Sequence, residues 1–128
     1  MNGDGCEPVF IISVAARLLE MHPQTLRKYE REGLVAPSRT SGKFRLYSDE
    51  DLQRLKQVKF LVGEQGLNLA GVQLVLDLTR QLRAVQLRAR AEAASKNDDS
   101  LVAIEEELTR LLAFLGAEEP GSRDRGST

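Results

Sequence analysis

Residues 13–47 read SVAARLLEMHPQTLRKYEREGLVAPSRTSGKFRLY, and this stretch decides the fold. Ser13 stands before Val14, Ala15, Leu18 and Leu19, which share one helical face. The spacing predicts a helix capped by Ser13 and running to about Met21. Pro23 opens a second helix, where its missing N–H costs nothing. Leu26 and Tyr29 point inward from that helix, and Gly33 ends it. Two short helices joined this tightly form a helix-turn-helix. Helical periodicity is lost from Leu34 to Tyr47. Pro37, Ser38, Thr40, Ser41 and Gly42 mark a turn between extended pieces near Leu34-Val35 and Phe44–Tyr47. The expectation is a small β-wing.

Charge marks the same region. From His22 to Tyr47, Arg27, Lys28, Arg31, Arg39, Lys43 and Arg45 stand against Glu30 and Glu32, a local net charge of +4 in a chain whose net charge is -1. A helix in the major groove presents its N-terminal residues to base edges, here Gln24, Thr25, Arg27 and Lys28. Gln suits adenine, Arg guanine, and the Thr methyl the thymine methyl. Tyr29 and Arg31 are expected at phosphates. Lys43, Phe44 and Arg45 on the wing are expected along the backbone or in the minor groove. Ser13, His22, Arg39 and Tyr47 complete the candidate DNA-binding set. The alternative for each cation is a solvated charge.

Outward from this core, Ser48-Asp49-Glu50-Asp51 approximates a capping box. The helix after it carries Leu52, Leu55, Val58, Lys59 and Val62 near one face, and Gly63 and Gly66 end it. Asn68 caps a further helix. Val75, Leu78, Leu82, Val85 and Ala89 step by three and four, as do Leu101, Ile104, Leu108, Leu111 and Leu115. Both are heptad seams, out of phase with each other. A kink or break is expected across residues 95–100. Leu78, Leu82, Val85, Leu101, Ile104, Leu108 and Leu111 are assigned to dimerisation, since a small preceding domain cannot cover so much amphipathic helix. The alternative is packing within one chain. Glu105-Glu106-Glu107 is either a solvated face or an acidic surface for a protein partner.

The organisation expected is a disordered leader (1–9), a winged helix-turn-helix (10–77), a dimerisation region (78–115) and a flexible tail (116–128). The fold class is mainly α, with the winged domain followed by a long helix in an antiparallel coiled coil. No apolar run approaches the roughly 18 residues needed to span a bilayer. The leader, with two acids and no base, does not resemble a signal peptide. A cytoplasmic, nucleoid-associated bacterial protein is the expectation. Cys6, the single cysteine, lacks partners for a disulfide or metal site. His22, the single histidine, has no nucleophile or carboxylate placed beside it. No enzyme, no metal and no cofactor are expected.

Ser13-Val14-Ala15-Ala16, Met21-His22-Pro23-Gln24-Thr25-Leu26-Arg27, Tyr29-Glu30-Arg31, Gly33-Leu34-Val35, Pro37, Arg39-Thr40 and Arg45-Leu46-Tyr47-Ser48 together resemble the MerR family of transcription regulators. The His-Pro-Gln-Thr-Leu-Arg run and Gly66-Leu67-Asn68-Leu69-Ala70-Gly71-Val72 most resemble its heat-shock repressor branch, HspR. The resemblance covers about residues 10–78. It implies a dimer whose long helices pair antiparallel, with Arg27, Tyr29, Arg31 and Arg45 on double-stranded DNA at an inverted-repeat operator. It also implies repression of chaperone genes with the DnaK chaperone as co-repressor. Phe44 departs from the Tyr of many relatives, and Lys28 from their Tyr or Gln. Metal-sensing relatives bind through cysteines near the end of the dimer helix, and none occurs after Cys6. Drug-sensing relatives carry a large C-terminal domain, where this sequence has thirteen residues after Leu115. A protein or heat signal is the expectation that remains. Two other readings stand beside it: a MerR-type activator that distorts promoter DNA, and a coiled-coil adaptor that binds no DNA.

Overall fold

The computed structural model describes residues 9–40 and 42–117. The chain forms two compact units, one reaching Val58 and one beginning at Lys59. The division falls well before the 77/78 boundary expected from sequence. The expected boundary lies inside a single uninterrupted helix, Leu69–Lys96.

The first unit opens with a strand, β1 (Val9–Ile11), and two helices, α1 (Ile12–Leu19) and α2 (Pro23–Arg31). β2 (Ser38–Arg39), β3 (Arg45–Ser48) and α3 (Asp49–Lys59) follow. The sheet order is β1-β3-β2, antiparallel throughout. Val9 was expected in a disordered leader, yet it pairs with Ser48, as Phe10 does with Tyr47. The rest of that leader, with Cys6, lies outside the described residues. β1 runs straight into α1, so extended Ile11 is the N-cap and Ser13 falls in the first turn. α1 also stops before Met21. Glu20 adopts a left-handed conformation, and the Met21 N–H donates back to the Ala16 carbonyl at 2.9 Å.

α2 starts and ends as its sequence dictates. Pro23 stands in its first turn, the His22 side chain caps it, and Gly33 follows its end at φ +82°. Leu34 and Val35, expected as a wing strand, are instead buried irregular backbone. The Arg54 guanidinium of α3 donates to the Leu34 carbonyl and fixes that path. The strand of the wing comes later, with Ser38 opposite Leu46 and Arg39 opposite Arg45. The capping box of α3 is reciprocal: the Ser48 N–H donates to Asp51 Oδ2 at 2.9 Å, and the Asp51 N–H to Ser48 Oγ at 3.0 Å. Aspartate thus reaches as glutamate would. Ala15, Ala16, Leu19, Leu26, Leu34, Tyr47, Leu52 and Leu55 form the core.

In the second unit a π-helical turn, Phe60–Glu64, extends the end of α3. The wider turn changes which side chains face inward: Leu61 is buried, whereas Val62 and Lys59, expected on the apolar face, are exposed. Asn68 caps α4 (Leu69–Lys96), its Oδ1 accepting the Gly71 N–H at 2.9 Å. The helix breaks where the sequence placed an interruption. Asn97 ends α4 in a left-handed conformation, and the Asp98 side chain caps α5 (Asp99–Phe114). α5 packs antiparallel on α4 as a hairpin. Gln86 Nε2 donates to Thr109 Oγ1 at 2.7 Å, and Arg90 pairs with Glu105 at 2.6 Å. Leu108, assigned above to a second subunit, is buried within its own chain, as are Ala89 and Leu112. Leu78, Val85, Ile104 and Leu111 are exposed, and Leu82 and Leu101 are half-buried. Of the tail expected at 116–128, Gly116, which lies against the Phe60 ring, and buried Ala117 are described; the remainder lies outside the described residues.

Candidate nucleic-acid interface

The candidate surface is built from α2 and the wing. Gln24, Lys28 and Arg31 recur at helical spacing on the exposed side of α2, with Thr25 and Arg27 half-buried at its edge. The Arg27 guanidinium donates to Gln24 Oε1 at 3.3 Å, so the two side chains are held side by side near the helix start. His22 is exposed, and its Nδ1 accepts the Gln24 N–H at 3.0 Å. Ser13 is exposed on α1.

The wing tip is a tight, self-bonded turn. Thr40 Oγ1 accepts from the Gly42 and Phe44 N–H groups, each at 3.2 Å, and the Lys43 N–H donates to the Thr40 carbonyl at 2.8 Å. Lys43 takes φ +72° at its apex. Phe44 is left 69% exposed and Lys43 exposed beside it.

Glu30 joins helix to wing. Its Oε1 accepts from Arg45 Nε at 2.5 Å and its Oε2 from Arg39 Nη2 at 2.7 Å. Burial raises the Glu30 pKa, but hydrogen bonds and charge from Arg45 and Arg39 outweigh it, so the carboxyl titrates below its ordinary range. Arg39 Nη1 also donates to the Lys43 carbonyl at 3.4 Å.

Two residues expected at DNA lie largely in the core. Tyr47 has no exposed surface and Tyr29 only 9%. Burial, with Glu32 beside Tyr29 and Glu30 beside Tyr47, raises both phenol pKa values and keeps them neutral. Each sits on the inward side of its element, so it supports the surface from beneath. The structure brings together Gln24, Thr25, Arg27, Lys28 and Arg31 on α2, and Arg39, Lys43, Phe44 and Arg45 on the wing. Sequence reading missed Glu30, which it counted only against the positive charge, and Arg54. An acid set between Arg27-Lys28 and Arg31 in a basic run was the available signal. Among the described residues, no group of three or more His, Cys, Asp or Glu side chains could hold a metal ion. None of the described helices is long and apolar enough to cross a membrane.

Comparison with known proteins agrees with this geometry. The chain is 47% identical over 97 residues to a Streptomyces coelicolor protein named for the heat shock protein HspR, covering 76% of this chain and 64% of that one. The chain therefore spans a little under two thirds of that relative. It is 36% identical over 92 residues to the HTH-type transcriptional regulator GlnR of Bacillus anthracis, covering 71% of this chain and 70% of that one. In fold it is similar to the crystal structure of a MerR-family transcriptional regulator from Bacillus cereus, with a TM-score of 0.52 at 23% identity over 83% of this chain and 84% of that one. The pattern that defines the MerR HTH family of regulatory proteins matches residues 10–79, and with the helix-turn-helix and wing in place, the chain belongs to that family, whose members are transcription regulators rather than enzymes.

Proposed function

We propose that this regulator is a repressor of heat-shock and chaperone genes that binds an inverted-repeat operator as a dimer. The observation that carries the reading is the 47% identity to the HspR-named protein, which runs over 76% of the chain. The exposed cationic side of α2 supports it, since Gln24, Thr25, Arg27 and Lys28 are the types that read base edges. A dimer is supported by Leu78, Val85, Ile104 and Leu111, apolar side chains left exposed on the hairpin. Two copies would set two recognition helices on one face of the duplex, so half-sites should lie about one helical turn, or a multiple of it, apart. Occupancy across a promoter then blocks polymerase. The DnaK chaperone, as co-repressor, would favour the DNA-bound state, and unfolded protein would draw it away on heating. The protein would work in the cytoplasm, on the nucleoid.

The test is genome-wide footprinting before and after heat shock, followed by an operator shift titrated with DnaK. Protection across chaperone promoters that is lost on heating is expected. Sites confined to promoter spacers, with transcription rising on binding, would establish an activator instead. The likeness to the HTH-type transcriptional regulator GlnR supports regulation of transcription without choosing between these outcomes.

A further inference from the structure

Arg39 and Arg45 meet one carboxylate in different ways. Arg39 spends both terminal nitrogens inside the protein, Nη2 on Glu30 and Nη1 on the Lys43 carbonyl. Arg45 gives Glu30 only its Nε. Among the described residues, its two terminal amino groups have no partner. Its side chain is 25% exposed, against 42% for Arg39. A guanidinium is planar, so fixing the Nε edge fixes the direction of the Nη edge. Two parallel N–H donors on one rigid edge match a phosphate. A surface arginine otherwise gives up much rotamer freedom when it orders against a ligand.

We propose that Glu30 is a positioning residue for DNA binding: anchored on α2, it holds the Arg45 guanidinium by its Nε so that both Nη groups meet a backbone phosphate, while Arg39 closes the wing behind it. Glu30 thereby locks the base-reading helix to the phosphate-binding wing. The proposal rests on the DNA-binding reading above and deepens it.

The sign of one substitution separates this role from charge alone. Glu30 is an anion on a face that meets a polyanion. If it acts only as a charge, removing it relieves repulsion and tightens binding. If it positions Arg45, removing it loosens binding, because Arg45 must then be ordered at the cost of affinity. The probe is a duplex that the wild-type chain selects from a randomised pool. Glu30→Ala should bind it about tenfold more weakly. Glu30→Gln should lose less, since an amide oxygen still accepts from Nε. The slope of log affinity against log salt should stay near wild type in Glu30→Ala, which keeps the Arg45 charge, and fall in Arg45→Ala. Arg45→Ala should cost far less in the Glu30→Ala background than in the wild type.

Circular dichroism at the assay temperature checks that each variant is folded. If Glu30→Ala is not, the same comparison is made with Glu30→Gln and its Arg45→Ala double variant. Equal or tighter binding by the folded Glu30 variants overturns the proposal, as does strict additivity with Arg45→Ala, and either result leaves DNA binding intact. A wild-type chain that selects no duplex removes the DNA-binding reading and this proposal together.

Discussion

At the scale of single residues, Tyr47 shows how burial decides a role that residue type suggests otherwise. Its hydroxyl is buried and, among the described residues, has no hydrogen-bond partner. A desolvated, unpaired hydroxyl costs about 1–3 kcal/mol. Tyr47→Phe should therefore leave stability unchanged or raise it by up to about 1 kcal/mol in a urea titration, with no change in DNA affinity. A clear loss of affinity would restore Tyr47 to the interface. The exposure of Lys28, Arg31, Arg39 and Lys43 was legible in the sequence because charged side chains at these positions stay at the surface. The tyrosines and Glu30 were less so. Where a phenol points depends on which side of α2 or β3 faces the core, and the reach of Glu30 to Arg45 crosses fifteen residues of chain. Local pattern carries neither piece of information.

Among the elements, those set by neighbouring residues were legible. Pro23, Gly33, Asn68 and the Ser48–Asp51 box each mark a helix end with side chains a few residues apart. β1 was not legible, since three residues carry no alternation worth reading and its partner β3 lies far along the chain. The π turn hid for a related reason: Gly63 looks like a stop, yet the helical path continues through it to Glu64. The break at residues 97–98 is the element on which a substitution speaks most clearly. Asn97 sits at φ +52°, where asparagine is tolerated and β-branched residues are not. Asn97→Val should cost about 1–2 kcal/mol, read as a lower thermal midpoint, while Asn97→Gly should be close to neutral. Equal effects from both would show that the hairpin does not depend on that conformation.

For the whole molecule, the question is how a helical hairpin and self-association share one set of leucines. The sequence shows two seams and cannot say which packs within the chain. The structure divides them: Leu108 and Leu112 are covered by their own chain, whereas Leu78 and Leu111 remain exposed. A charge placed on these two classes should act differently. Leu108→Glu puts an ion into the hairpin and should reduce helicity and stability by several kcal/mol. Leu78→Glu should leave the monomer folded and shift sedimentation from dimer to monomer, with weaker operator binding as two half-sites cease to be held as one. A Leu78→Glu chain that still sediments as wild type would move the dimer interface elsewhere.

The antiparallel hairpin also sets an order of events in folding. Arg90 and Glu105 are fifteen residues apart in the chain, and Gln86 and Thr109 twenty-three. Gly116 then returns to the ring of Phe60, so closely that a Cβ at Gly116 would lie 2.5 Å from Phe60 Cδ2. Loop-closure entropy rises with the length of chain enclosed. The second unit should therefore close like a zipper from Asn97 and Asp98, with the fit of Gly116 against Phe60 made last. Changes at the turn would slow refolding, whereas a side chain at Gly116 would mainly hasten unfolding. The far end of the hairpin should thus govern its kinetic lifetime, and the turn the rate at which it forms.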